Sequence, residues 1–418
     1  MQNITFGYTI IRSELEQPAK AFEDRITALR ELLNRRGAEE LSARRINDDL
    51  PLVYLIASGG TEQAALESHE IRRRTHPDEA VYLLAHTGYN SLPAALEILA
   101  KLQQDGATGQ VLLLQDDTEE EQVKALEAIL LGRKVRQSLE QSHIGLIGPP
   151  SDWLVASSPD PGLVNKRWGP EIVPLSVASL REAMNDVDPQ EVTAFTRDLE
   201  QRSIDIKEPG QGDLEKVSRI ALALRKMVQD YDLTALTLRC FDLVMDDETT
   251  GCVALADLSD SGVMAGCEGD LVSTLGMLWA HELLGETPWM ANPAIMDTNE
   301  DRIWLAHCTV PRSMVSQYSL RSHFESGLGV GIQGRLENGP VTLLRIGGVQ
   351  LEKIWIEEGE ILQAGRSESL CRTQVEIQLG DGVVNKVLEQ PLGNHMILVR
   401  GHHAERLWQW WKTHIDRN

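Results

Sequence analysis

The chain has 418 residues, 42% hydrophobic and 25% charged, a length for two or three domains and a composition that excludes a largely disordered chain. Its 63 acids against 40 bases give a formal charge of −23, a surface that repels phosphate backbones and argues against general nucleic-acid binding. No run of about 18 apolar residues occurs, so no spanning helix and no membrane partner are predicted.

The start, Met1-Gln2-Asn3-Ile4-Thr5, lacks a basic segment followed by an apolar one, so no secretory signal is expected. Residues 14–36 predict an amphipathic helix, with Phe22, Ile26, Leu29 and Leu33 at helical spacing and Gly37 as its stop. Short apolar runs follow at 53–57, 81–85, 111–114, 144–147 and 172–175, with helices near 61–73, 91–105 and 118–141 between them. Strands apolar at every position are buried on both faces, as in a parallel sheet, so the pattern predicts doubly wound α/β structure. Residues 178–230 read as charged and helical, and Asp213 is the expected N-cap of a helix reaching Asp230. A strand at 235–238 and a polar loop or hairpin at 246–251 lead into a second α/β unit ending near 305. Beyond 326 short alternating runs punctuated by Gly and Asn predict a small barrel or sandwich, with a final helix at 403–416. The expected fold class is therefore α/β, as two doubly wound α/β domains (1–177 and 178–305) followed by a β-rich barrel-like domain (306–418). Trp408, Trp410 and Trp411 on the last helix are read as packing or subunit-contact residues rather than a ligand platform.

The five cysteines, at 240, 252, 267, 308 and 371, are widely spaced and never form Cys-x-x-Cys. That predicts thiols in a reducing cytoplasm rather than a disulfide framework, and no Cys-rich zinc site. The Gly-rich turns Ser58-Gly59-Gly60-Thr61 and Ile147-Gly148-Pro149-Pro150 match neither phosphate-binding fingerprint, so no nucleotide cofactor is expected. His86, Tyr89 and Asn90 cluster after a strand, where ligands of α/β sheets bind, although capping by Asn90 or Ser91 explains part of that turn. Asp270 reads as the N-cap of a helix apolar nearly all round, Leu271–Leu284. Glu268, just before it, is either a second carboxylate on the helix dipole or a half-buried acid that needs a cation, a metal or donors. His307 ends an apolar run, His323 and Glu325 lie two apart, and His395 begins a strand. Glu268 with His307, His395 and an Asp would make a mixed oxygen and nitrogen site suited to Mn²⁺, Mg²⁺ or Co²⁺.

The stretches Gly266–Asp270, His307–Met314, Ser322–Gly327 and Gly393–His395 resemble the L-fucose isomerase/L-arabinose isomerase superfamily, more narrowly the fucose-isomerase-like proteins of bacteria and archaea. The resemblance covers about 235–403, and His86–Pro93 adds to it. It implies two α/β domains and a barrel-like C-terminal domain, assembled as trimers or hexamers with sites at domain and subunit boundaries. It also implies interconversion of an aldose and a ketose, here a pentose or 6-deoxyhexose, with a divalent cation, usually Mn²⁺. Such a cation polarises the sugar carbonyl, a carboxylate moves the neighbouring proton, and an ene-diol intervenes. By local alignment Glu268 matches the first acid, and His307 and His395 match histidine ligands. The second acid's place reads Ala291-Asn292, which leaves Asn292 as a ligand through its amide oxygen and Asp297 as the nearest substitute acid. His86, Tyr89, Asn90, His323 and Glu325 remain as candidates for sugar contact. A non-catalytic carbohydrate-binding protein on the same scaffold is the competing reading, and a nucleotide-dependent dehydrogenase a weaker one.

Overall fold

The computed structural model describes residues 4–13, 20–115 and 118–416. The chain divides into two compact units, residues 1–134 and 135–418. The first contains β1 (Gly7–Ile11), α1 (Lys20–Arg35), β2 (Glu39–Glu40), β3 (Leu52–Ile56), α2 (Glu62–Arg73), β4 (Val81–His86), α3 (Ser91–Gln104), β5 (Gly109–Leu114) and most of α4 (Glu119–Glu140). Its five strands form one parallel sheet in the order β2-β1-β3-β4-β5. β3 and β4 are buried along their whole length, as their unbroken apolar runs require. α1 buries Phe22, Ile26, Leu29, Leu32 and Leu33, and its expected first turn at 14–19 lies outside the described residues. β1, absent from the expected elements, is an interior strand, paired in register with β3 from Gly7↔Leu52 to Ile11↔Ile56.

The second unit continues with β6 (His143–Ile147), α5 (Pro161–Trp168), β7 (Glu171–Leu175), α6 (Val177–Asn185), α7 (Pro189–Arg202), β8 (Asp205–Ile206) and α8 (Gln211–Asp230). There follow β9 (Ala235–Leu238), α9 (Cys240–Asp247), α10 (Cys252–Asp260), β10 (Met264–Cys267) and α11 (Leu271–Leu284). Then come β11 (Trp289–Asp297), β12 (Arg302–His307), β13 (Gln317–Arg321), β14 (Gly331–Arg335), β15 (Gly339–Gly347), β16 (Lys353–Ala364), β17 (Thr373–Leu379), α12 (Val383–Glu389), β18 (Met396–Arg400) and α13 (Ala404–His414). A parallel sheet runs β10-β9-β6-β7, so strands on both sides of residue 177 share one layer. A closed six-stranded antiparallel barrel runs β11-β12-β17-β16-β15-β18, and a small sheet runs β14-β13-β8. The architecture is thus mixed α/β, with parallel sheets and a C-terminal barrel.

Two details differ from expectation. The barrel recruits β11 and β12, upstream of the composition change at 326, because Trp289, Ala291, Ile303 and Leu305 fill its core beside Leu343, Val375 and Leu398. Asp213 sits one turn inside α8; Gly210 is the N-cap, and Asp213 Oδ2 accepts the Gly210 N–H at 2.9 Å. α11 is buried almost throughout, packed on β10 and on the barrel strands β15 and β18. The terminal tryptophans divide their roles. Trp410 lies against Trp168 and Trp279, centroids 6.0 and 5.4 Å away, and so fastens α13 to its own unit. No helix among the described residues is long and apolar enough to cross a membrane.

Candidate metal centre

Three segments distant in sequence converge at the C-terminal end of β10. Glu268 follows that strand, His307 ends β12, and His395 immediately precedes β18. One ligand atom from each lies within 4.8 Å of the others, and all three residues are buried. Glu268 is a non-glycine residue in the left-handed region, at φ +63°. Such backbone is costly and persists only where its surroundings over-determine it. Here Glu268 C=O accepts Ser151 N–H at 2.9 Å, and Gly269 N–H donates to Leu238 C=O at 3.0 Å. Gly269 continues the turn at φ +72°, where a Cβ would stand 2.8 Å from Pro150 Cα, so only glycine fits.

The carboxylate of Glu268 has two distinct neighbours. Trp153 Nε1–H donates to Oε2 at 2.5 Å, and Oε1 faces His395 Nε2 at 3.7 Å, beyond hydrogen-bond range. Burial pushes the Glu268 carboxyl up, but the neighbouring His395 and the Trp153 indole outweigh it and leave it below its usual value. His395 is wholly buried, and its Nδ1–H donates to Asp270 Oδ2 at 2.8 Å. Burial acts against the imidazolium, yet Asp270 and Glu268 raise its pKa to about 9. His307 goes the other way, down to about 4, through burial first and the charge of His395 second. Its Nδ1 lies 2.9 Å from Thr309 Oγ1, so a proton there leaves Nε2 free.

Asp270 does more than the N-capping expected of it. It accepts Ser273 N–H at 2.8 Å as the cap of α11, holds His395, and meets Arg345 Nη1 at 3.3 Å. Burial would raise its pKa, but Arg345 and His395 together hold it well below the carboxylate range. Arg345, itself buried in β15, also donates to Ser157 Oγ at 2.5 Å. A Cβ at Gly393 would collide with its guanidinium.

Donor chemistry supports a cation at this point. His395 Nε2 is buried with no hydrogen-bond partner, aimed toward a carboxylate oxygen and a second imidazole. One oxygen and two nitrogens, with carboxylate support behind a histidine, match the first and outer shells of a divalent site.

The cavity at the centre measures about 50 Å³ and is also lined by Asn292, His323 and Glu325. It takes an ion or one small end of a substrate, being far below the ~300–1,000 Å³ of ordinary ligand pockets. A larger groove of about 1020 Å³ along β13 and β14 contains none of the converging residues.

Asp297 is not brought to the centre. It lies exposed at the end of β11, where Oδ1 accepts the N–H groups of Asn299 and Glu300 at 2.9 and 3.1 Å. An Asx-type turn therefore uses it up locally. His323 and Glu325 both line the cavity, from the turn that follows β13.

In the first unit, His86 is fully buried, its ring nitrogens 2.9 Å from Ala57 O and 3.2 Å from Thr87 O. That spends it on backbone. Tyr89 and Asn90 are exposed and both left-handed, at φ 51° and 55°. Neither polar residue caps α3: Asn90 makes no side-chain cap bond, and Ser91 Oγ instead bridges His86 N and Ile56 O.

Sequence reasoning missed Trp153, Arg345 and the link from Asp270 to His395. A lone arginine inside the apolar run Val341–Ile346 was the available signal, since a buried cation demands a partner. Trp153, in a polar loop after β6, carried none.

No family model matches the chain. It is 22% identical over 303 residues to the sulfoquinovose isomerases of Priestia aryabhattai and Priestia megaterium, covering 68% of this chain and 66% of each relative. The match thus spans just under two thirds of the curated relatives' length. Both bear the name of a sugar isomerase.

Proposed function

We propose that the chain is a metal-dependent aldose–ketose isomerase acting on a small sugar through an ene-diol. The convergence of Glu268, His307 and His395 on one buried point carries this reading, and the similarity to two sugar isomerases supports it. Glu268, His307 and His395 hold a divalent cation, with Asn292 completing the set through its amide oxygen. Mn²⁺ is the favoured ion because the donors mix oxygen and nitrogen. When bound, the cation supplies Lewis-acid polarisation of the sugar carbonyl.

The remaining work falls to the chain. Trp153 orients the Glu268 carboxylate, and Asp270 orients His395. Glu268, its Oε2 fixed by the Trp153 indole, serves as a ligand more than as a base. Glu325, the other carboxylate lining the cavity, takes the proton-transfer role once assigned to Asp297. His323 contacts the sugar beside it. His86, whose ring meets two backbone carbonyls of the first unit, is left as a structural support. The assembly is proposed as a homotrimer or homohexamer, in the cytoplasm.

The second reading is a sugar-binding protein without turnover, favoured by Asn292 standing where an acid would help catalysis. One experiment separates the two. Purified protein is analysed for metal, then assayed with sulfoquinovose, L-fucose and L-arabinose in Mn²⁺, with Glu268→Gln as control. Isomerisation by wild type alone supports the enzyme. Sugar binding without turnover supports the alternative, and failure of both proteins to take up Mn²⁺ removes the metal centre.

A further inference from the structure

All five cysteines of the chain line the small cavity that also contains Glu268 and His307. They come from separate segments: Cys240 opens α9, Cys252 opens α10, Cys267 ends β10, Cys308 follows β12 and Cys371 precedes β17. A buried thiol usually serves as a small apolar filler. Filler would be scattered, yet the apolar clusters of the barrel and of the first unit contain no cysteine.

Cys308 stands beside both Cys252 and Cys371, and the remaining two meet at hydrogen-bond distance. Cys240 Sγ and Cys267 Sγ are 2.9 Å apart, and both residues are buried. Their backbones lie at the ends of neighbouring parallel strands, for Cys267 pairs with Leu238, two residues before Cys240. A bond of about 2.05 Å asks the sulfurs to close by roughly 0.9 Å, a shift small enough for side-chain torsions.

We propose that Cys240 and Cys267 are a redox-modification site, oxidised to a disulfide by hydrogen peroxide and returned to thiols by a dithiol. One thiolate attacks a peroxide oxygen; the O–O bond breaks, hydroxide leaves, and a sulfenic acid forms. The second thiol attacks that sulfur, the S–S bond forms, and water leaves. In total the two thiols give up two protons and two electrons, and one peroxide becomes two waters. A cavity of this size admits an oxidant little larger than water.

Cys267 immediately precedes Glu268, so the new bond tethers the candidate ligand's turn to the end of β9 and displaces its carboxylate. This consequence for cation binding rests on the metal reading above; the pairing of the thiols does not.

The test treats reduced full-length protein with a slight excess of hydrogen peroxide, alkylates it under denaturing conditions and digests it without reductant. The expected result is a fall from five free thiols to three, a Cys240–Cys267 cross-linked peptide, and recovery with dithiothreitol. Cys240→Ser and Cys267→Ser should each keep all their remaining thiols, with Cys240→Ala as the substitute if circular dichroism shows a serine variant misfolded. Mn²⁺ titration should show affinity about ten-fold weaker in the oxidised protein and restored by reductant. Survival of all five thiols, or a link between a different pair, overturns the assignment. A Cys240–Cys267 link that leaves Mn²⁺ affinity unchanged overturns the coupling to Glu268. Reduced protein that takes up no Mn²⁺ while the link still forms counts against the metal reading alone.

Discussion

Asp270 Oδ2 accepts the Nδ1 hydrogen of His395 at 2.8 Å, with both side chains withdrawn from solvent. The bond fixes the imidazole's orientation and leaves Nε2 as its outward nitrogen. The same carboxylate caps α11 and faces Arg345 of β15. One residue therefore ties a helix start, a barrel strand and a candidate ligand together.

Asp270→Asn removes the carboxylate that pairs with buried Arg345. Breaking one partner of a buried ion pair costs about 3–5 kcal/mol. Urea denaturation should show a loss of that order. A change under about 1 kcal/mol would mean that Arg345 finds water or another acceptor.

Trp153→Phe deletes the indole donor but keeps a ring beside Phe241. Trp153 is 50% exposed, so stability should barely move. Removing an outer-shell donor typically costs about 10–100-fold in metal affinity. Calorimetric titration with Mn²⁺ measures it; wild-type affinity would show that the indole does not hold Glu268.

Glu325→Gln tests proton transfer. Loss of a general base lowers turnover about 10²–10⁴-fold. Mn²⁺ affinity should be unchanged, and solvent deuterium, incorporated into product by wild type, should no longer enter it. Unaltered turnover and exchange would remove Glu325 from the mechanism.

Gly269→Ala places a Cβ against Pro150 at a left-handed φ. A strained residue of this kind costs about 1–3 kcal/mol. A lowered thermal midpoint with a weakened cation site is expected, because the turn carries Glu268. An unchanged midpoint would show that the turn relaxes freely.

Acid sensitivity follows from Glu208, which joins the segment after β8 to the end of β13. Its hydrogen bonds to Arg321, at 2.8 and 2.6 Å, hold its carboxyl down at about 2 from the usual 4.5. A depressed acid stabilises the fold above its unfolded pKa, and that contribution fades as pH falls from about 4.5 toward 2. Wild type should exceed Glu208→Gln in urea midpoint at pH 6, and the gap should shrink steadily on acidification. A gap independent of pH would exclude the ion pair as its source.

Much of the fold was legible where burial leaves one pattern. β3 and residues 81–85 of β4 are apolar at every position because both faces are covered, and α1 shows its buried stripe at helical spacing. β1 escaped notice because Gly7, Tyr8 and Thr9 dilute its apolar signal. β11 escaped because Asn292-Pro293 interrupts it just where it reaches the cavity and where its register with β12 shifts.

In the site, types were easier to read than partnerships. Glu268, His307 and His395 stood out as residues needing an explanation, but spacing cannot show that distant segments meet. Asp270 looked fully accounted for as a helix cap, so its second role was hidden behind a true first one. Asp297 failed for the opposite reason: proximity in sequence suggested reach, and a local turn had already claimed its oxygen.

β18 pairs on one side with β11 and on the other with β15, and thereby closes the barrel. His395 stands directly before it. The third candidate ligand is therefore placed by the strand that joins β11 to β15, while Glu268 is placed by the parallel sheet at the end of β10. The candidate centre is a seam between two layers, and neither the sheet nor the barrel alone presents all three donors.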